Sequence, residues 1–310
     1  MKTAFLFSGQ GAQAIGMGKE LCENFPAADE IFNSASEALG FDIKEMIWNG
    51  DKETLMITEN TQPAILTMSV AALEVVRSLG IKADVVAGLS LGEYTAHVAS
   101  GSMDFKDAVK LVKKRGKYMQ EEVPLGEGAM AAIIALTPEQ VCEICGAASE
   151  KGICEPANFN CPGQITVAGE TAAVEYACEL AKEKGAKRAM MMPVSAPFHC
   201  SMLKGAGEKL SKELENVTVS DMQIPIITNV TADYIPDKDA IKDLLVRQVS
   251  SSVLFEESLK RMIADGVDTF IEIGPGKALS GFVKRIDKTK TILNVEDMAS
   301  LEKTKEALGL

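Results

Sequence analysis

Histidine is the scarcest reactive side chain in this 310-residue sequence, present only at positions 97 and 199. Any mechanism that needs an imidazole base therefore has two candidates at most. Basic residues are also in deficit, 32 against 44 acidic ones for a net charge of -12. A nucleic-acid binder shows the opposite sign, so a small molecule, or a protein meeting a local basic patch, is the better partner class. No apolar run is long enough for a membrane span, because the best stretch, 63–76, is interrupted by Thr67 and Ser69. The run Ala4-Phe5-Leu6-Phe7 is too short for a signal-peptide core, which makes a cytoplasmic protein the expectation. Seven cysteines, an odd and scattered set, then read as reduced thiols. Cys142 and Cys145 have metal-like spacing but neither a second pair nor a nearby histidine, so they read as a packed helix face and no metal is expected. With 46% hydrophobic residues and no repeat or low-complexity tract, the chain has ample material for a folded core.

The pattern along the chain predicts strands alternating with helices. A strand at 3–7 runs into a glycine-rich loop, and helical stretches follow at 17–39, 51–55 and 63–79. A short buried strand at 84–87 leads through Gly88 into a helix ending near Gly101, and another helix covers about 105–119. This alternation predicts an α/β fold with a parallel sheet covered on both faces. The middle of the chain differs: strands at 130–136, 153–158, 164–168 and 187–194 are interleaved with a helix opened by Thr137-Pro138 and another at 171–185. The order β-α-β-β-α-β is that of a ferredoxin-like unit, placed as an insertion at 126–196 within a larger domain of 1–125 and 197–310. A strand at 268–273 precedes Gly274-Pro275-Gly276.

Gly88-Leu89-Ser90-Leu91-Gly92 is the strongest chemical signal. A G-x-S-x-G between strand and helix is a nucleophile elbow: the glycines permit a turn too tight for side chains, and the hydroxyl stands at a helix N-terminus where an oxyanion is favoured. The alternative is a plain tight turn. His97 follows seven residues later on the same helix, about 10 Å along the axis, and reads as a packed or surface histidine. His199 is the remaining base, set in Ser195-Ala196-Pro197-Phe198-His199-Cys200. Adjacent Cys200 and His199 make a poor dyad. Gly9-Gln10-Gly11-Ala12-Gln13-Ala14 resembles a dinucleotide loop, but the acidic strand end that such a site needs falls in a helical pattern at 27–36. The loop reads either as a tight β-α turn or as the second half of an oxyanion hole.

Taken in order, Phe7-Ser8-Gly9-Gln10-Gly11-Ala12-Gln13, Thr61-Gln62-Pro63-Ala64, the elbow with Glu93-Tyr94, Arg115-Gly116-Lys117-Tyr118-Met119-Gln120, Asn160-Cys161-Pro162-Gly163-Gln164, Pro197-Phe198-His199 and Gly274-Pro275-Gly276-Lys277 closely resemble the malonyl-CoA:acyl carrier protein transacylases of bacterial fatty-acid synthesis. The resemblance spans nearly the whole chain. It implies an α/β-hydrolase-like domain with the ferredoxin-like insertion and the active site between them. It further implies Ser90 as nucleophile, His199 as base, the N–H groups of Gln10 and Leu91 as oxyanion hole, and Arg115 gripping the malonyl carboxylate. Gln62 and Asn160 are implied as further substrate contacts, and the backbone carbonyl of Gln248 as the group that orients the base. Malonyl-CoA and acyl carrier protein are the implied substrates, with no bound cofactor. Two positions depart from the family pattern: Leu89 stands where many members have histidine, and Ser8 where proline is common. Phe198 matches the malonyl-selecting version of its loop. The rival readings are a serine esterase or thioesterase, whose triad histidine usually lies late in the chain, and an inactive carrier-binding scaffold.

Overall fold

A computed structural model of the chain describes residues 2–194 and 196–310; Ser195, the first residue of the segment singled out around His199, lies outside the described residues. The elements are β1 (Thr3–Phe7), α1 (Lys19–Asn24), α2 (Pro26–Leu39), α3 (Ile43–Trp48), α4 (Lys52–Met56), α5 (Thr58–Ser78), β2 (Val85–Gly88), α6 (Leu91–Ser100) and α7 (Phe105–Glu121). Then come β3 (Gly128–Ile134), α8 (Pro138–Ala148), β4 (Cys154–Cys161), β5 (Gln164–Glu170), α9 (Thr171–Glu183) and β6 (Arg188–Met191). The chain ends with α10 (Lys204–Glu215), α11 (Ile241–Val249), α12 (Phe255–Ala264), β7 (Thr269–Ile273), α13 (Ala278–Ile286), β8 (Thr291–Val295) and α14 (Met298–Leu308).

Two four-stranded sheets result. The first has the order β2-β1-β7-β8 and is parallel throughout. Its strands β1, β2 and β7 are buried at every position, as a sheet covered by helices on both faces requires. The carboxyl ends of β1 and β2 sit side by side, with Phe7 opposite Gly88. The glycine-rich loop and the elbow therefore leave the sheet together, at the end where parallel sheets bind ligands. The second sheet has the order β4-β5-β3-β6, antiparallel, and packs against α8 and α9 through Ile133, Val141, Ile144, Val167 and Val174. Helix α8 opens on a full capping box between Thr137 and Gln140, with Pro138 in the first turn.

Several boundaries differ from the sequence pattern, for local reasons. The stretch 17–39 is two helices, because Pro26 drives Phe25 into an extended conformation and restarts the helix after it. Helix α5 begins at Thr58, with Pro63 inside its first turns rather than at its start. Strand β4 runs on to Cys161, so the hairpin to β5 turns on Pro162-Gly163 alone. The sequence pattern gives no bounds for α3, although Asp42 caps it, for helices α10 to α14, or for β8. Cys142 and Cys145 lie on α8, the first exposed and the second buried against Cys154 of β4, with the two sulfurs 3.8 Å apart.

The elbow needs glycine for space. A Cβ on Gly92 would stand 2.1 Å from the Phe7 carbonyl oxygen. Gly92→Ala should therefore fail to give a folded protein or melt far below the parent. Gly146, exposed in α8 with nothing within 4 Å of a built Cβ, is the opposite case. Gly146→Ala should raise unfolding free energy by about 0.5–1 kcal/mol in a denaturant titration. A loss of stability there would contradict the helical-propensity argument.

Candidate active site

Ser90 sits between the end of β2 and the first turn of α6 with φ 54 and ψ -106, a backbone conformation that a non-glycine residue rarely takes. What holds it there is Asn229, 139 residues further on: the Asn229 Oδ1 accepts from the Ser90 N–H at 2.6 Å, and its Nδ2 donates to the Gly88 carbonyl at 2.7 Å. One amide thus clasps both sides of the turn. No pattern in the sequence around Asn229 announces this, because its partners are distant and its segment has neither helical nor strand periodicity.

His199 lies on the segment after the second sheet, buried, with φ 62. Its Nε2 is 2.6 Å from Ser90 Oγ and its Nδ1 is 2.8 Å from the Gln248 carbonyl. A carbonyl can only accept, so Nδ1 carries the proton and Nε2 presents its lone pair to the Ser90 hydroxyl. Burial, reinforced by the Arg115 cation, pushes the His199 pKa down to about 3, so the imidazole is neutral at pH 7. His97 is the packed histidine: it is fully buried, bonded through Nδ1 to Ser102 Oγ at 2.8 Å, and held down to about 3 by burial.

Arg115 reaches the same point from α7. That helix crosses α5 closely because Gly116 has no side chain; a Cβ there would lie 2.6 Å from the Thr58 carbonyl oxygen. The guanidinium is 1% exposed. It donates from Nη1 to Gln62 Oε1 at 2.9 Å, and from Nη2 to Gln248 Oε1 at 2.9 Å and Ser90 Oγ at 3.1 Å. It packs 5.3 Å from the Tyr94 ring centroid. Its Nε is buried without a partner, and among the described residues no carboxylate forms an ion pair with it. Glu93, also fully buried, acts on it through space without a direct hydrogen bond and is bridged to it by Gln248, whose Nε2 donates to Glu93 Oε2 at 2.7 Å and to the Ser90 carbonyl at 2.9 Å. Burial pushes the Glu93 carboxyl pKa up.

The glycine-rich loop lies against the elbow: a Cβ on Gly9 would be 2.5 Å from the Leu89 carbonyl oxygen. Among the described residues no hydrogen bond occupies the N–H of Gln10 or of Leu91. Gln10 itself donates from its side chain to Thr58 Oγ1. Asn160, near the end of β4, is buried with its Oδ1 unpartnered. The structure thus brings Ser90, His199, Arg115, Gln62 and Gln248 into one hydrogen-bonded set. Among the described residues no cluster of three His, Cys, Asp or Glu side chains could hold a metal, and no helix is long and apolar enough to cross a membrane.

A family model described as an acyl transferase domain matches residues 4–306. The chain belongs to that family. It is 50% identical over 302 residues to the malonyl CoA-acyl carrier protein transacylase of Bacillus subtilis, covering 97% of this chain and 95% of that protein. Among solved structures, the malonyl CoA-acyl carrier protein transacylase of Clostridium perfringens superimposes with a TM-score of 0.97 at 52% identity, covering 100% of this chain and 98% of that one. A further neighbour, at TM-score 0.96 and 41% identity over 100% of its own length and 99% of this chain, is a malonyl-transacylase in complex with a type II PKS acyl-carrier protein.

Both histidines of this acyl transferase are buried neutral, which sets a sign for pH dependence. Each folded-state pKa lies below the ordinary value of about 6.5, so the unfolded chain takes up protons first as pH falls. Their contribution to stability is complete above about pH 6.5 and declines from there toward pH 3. Unfolding free energy should therefore be lower at pH 5 than at pH 7.5, and His97→Gln should flatten that difference. An unchanged difference in the variant would assign the pH dependence to other groups.

Proposed function

We propose that this acyl transferase moves a malonyl group from malonyl-CoA to the phosphopantetheine thiol of acyl carrier protein through a malonyl-serine ester. The observation that carries the malonyl assignment is Arg115: a buried guanidinium, without a carboxylate partner, 3.1 Å from the Ser90 hydroxyl. Leaving a cation so placed is costly unless an anion arrives. The malonyl group meets the requirement, since its free carboxylate is separated from the thioester carbonyl by a single methylene. An arginine adjacent to the nucleophile can grip that carboxylate while the carbonyl faces Ser90. Acyl groups without a carboxylate leave the guanidinium unpaired, which is the basis of selectivity.

In the first step Ser90 Oγ attacks the thioester carbonyl while His199 Nε2 takes the hydroxyl proton. The carbonyl oxygen becomes an oxyanion, for which the Gln10 and Leu91 N–H groups are free donors. The tetrahedral intermediate collapses with loss of CoA thiolate, which takes the proton from His199. In the second step His199 deprotonates the pantetheine thiol, which attacks the malonyl-serine ester; the intermediate collapses to the malonyl thioester and Ser90 Oγ leaves, taking the proton back from His199. The Gln248 carbonyl on Nδ1 keeps the imidazole in the required tautomer and does the orienting job of a triad carboxylate. Gln62 steadies Arg115, and Asn160 is a further substrate contact with a free acceptor. Transfer needs no metal or redox cofactor in this scheme.

The parallel sheet with flanking helices supports an α/β-hydrolase-like domain of 1–125 and 197–310. The strand order β4-β5-β3-β6 supports reading 126–196 as a ferredoxin-like insertion. A mass-spectrometric test for malonyl-enzyme decides the chemistry. Ser90→Ala should show no adduct, and one that persists would move the nucleophile elsewhere. Arg115→Ala should lose malonyl-CoA activity relative to acetyl-CoA activity by about 2–5 kcal/mol, the range for truncating a buried charge pair. Equal losses would make Arg115 structural.

The carrier must dock on a chain that is itself net -12, so a local basic surface is needed. In the run around Arg115, Lys113, Lys114 and Lys117 are already paired to Glu59, Glu213 and Glu121. By contrast Lys182, Lys187, Arg188, Lys284, Arg285 and Lys288 are exposed and, among the described residues, without ion pairs; Lys184 pairs with Glu143 and Lys290 with Asp287. Arg285 also lies close enough to Cys161 to oppose the burial that pushes that thiol up, next to Asn160. Lys→Glu changes in these two runs should raise the KM for carrier protein at low salt and leave malonyl-serine formation nearly unchanged. Added salt should shrink the effect, with screening over about 8 Å at physiological ionic strength. Unaltered carrier kinetics in both sets of variants would refute this docking surface.

A further inference from the structure

We propose that Glu155, on β4 of the second sheet, is a positioning residue for His199. The proposal rests on the acyl-transfer reading above and adds to it a group that touches neither substrate nor nucleophile. The Glu155 carboxylate takes two bonds from one residue: Ser201 N–H donates to Oε2 at 2.8 Å and Ser201 Oγ donates to Oε1 at 2.6 Å. Two bonds to two oxygens fix both the distance and the rotation of Ser201, which stands two residues after the base. Both partners are donors, so a carboxylate fits where an amide would set its NH2 against one of them. Cys200, which precedes the short helical turn at Ser201–Leu203, makes no side-chain cap of its own.

The same strand is fastened to the other side of the imidazole. Phe159 N–H donates to the Val253 carbonyl at 2.9 Å, Val253 N–H to the Ala157 carbonyl at 2.8 Å, and Ser252 Oγ to the Pro156 carbonyl at 2.6 Å. Residues 252 and 253 follow closely on Gln248, whose carbonyl receives His199 Nδ1. Strand β4 is therefore tied both to the segment that bears the base and to the segment that bears its acceptor. His199 is held at φ 62, a conformation that relaxes unless its neighbours forbid it. Glu155 is the side chain that forbids it from the Ser201 side.

Removing the carboxylate should let the His199 turn relax and carry Nε2 off the Ser90 hydroxyl, with the Arg115 grip on substrate unaffected. In the full-length enzyme Glu155→Ala should slow malonyl-serine formation by at least about tenfold, since misplacement of a catalytic group by about 1 Å can cost a hundredfold. The KM for malonyl-CoA should stay near the parent value. Glu155→Gln should fall between the two, and Ser201→Ala, which removes only the hydroxyl donor, should give a smaller loss in the same parameter. The decisive readout is the His199→Ala background: there Glu155→Ala or Glu155→Gln should cause no further loss in residual malonyl-serine formation. Parent-like rates in the single variants, a loss confined to KM, or the same loss without the imidazole would each overturn the proposal. Should Glu155→Ala not fold, Glu155→Gln and Ser201→Ala carry the test on the same criteria. An adduct surviving in Ser90→Ala would instead defeat the acyl-transfer reading, whatever Glu155 does.

Discussion

Gln248 ties the chemical groups of the site to one another. Its backbone carbonyl accepts from His199 Nδ1, its Oε1 accepts from Arg115, and its Nε2 donates to the Ser90 carbonyl and to Glu93. Because one end of the amide faces a guanidinium and the other a carboxyl oxygen, the network permits a single orientation of that side chain. The residue is fully buried, so each bond operates in a low dielectric, where it is stronger and where its loss costs more. Ser90, His199 and Arg115 come from the turn between β2 and α6, the segment after the second sheet, and α7, and they share this one partner near the end of α11.

The buried cation shapes the electrostatics of its neighbours. Burial is the main cause that holds His199 and His97 neutral, and Arg115 adds to the effect on His199. An imidazole that is neutral in the resting protein has its lone pair available across the physiological range. In the proposed reaction, the proton that Nε2 takes is stabilised by the negative charge developing on the carbonyl oxygen. In the resting protein Arg115 also donates to Ser90 Oγ, favouring the alkoxide over the hydroxyl. In the proposed reaction the same guanidinium assists attack and recognises the acyl group, because both tasks lie at one end of a planar donor set.

Legibility of these features in the sequence followed from how local their causes are. The elbow could be read because its turn demands glycine at fixed offsets, and strand, turn and helix lie where those offsets require. The pairing of Ser90 with His199 could be inferred because only one other histidine exists, and its position on the helix that Ser90 opens ruled it out. Arg115 came only from the family resemblance, within a run of surface lysines. Yet its register carried a signal: Leu111, Val112, Arg115 and Met119 share the buried face of α7, so the arginine interrupts an apolar stripe. Asn229 gave no such hint, since its bonds close a turn 139 residues away. The break at Pro26 was legible in principle, whereas the start of α5 was hidden by the polar residues ahead of Pro63.

Ser90 and His199 both occupy positive φ, 54 and 62, where a side chain costs of order 1–3 kcal/mol. Neither residue is glycine, and in the proposed reaction each supplies a reacting atom, so the strain cannot be removed by substitution. It is held instead by bonds from distant parts of the chain: Asn229 across the elbow and the Gln248 carbonyl behind the imidazole. The 2.6 Å approach of Ser90 Oγ to His199 Nε2 is therefore built by the folded framework before any substrate arrives. Relaxation of either backbone would lengthen that contact, so the energy stored in the two turns is the cost of having the hydroxyl and the imidazole already aligned. A site made this way needs little rearrangement in the proposed reaction, which is what preorganisation requires.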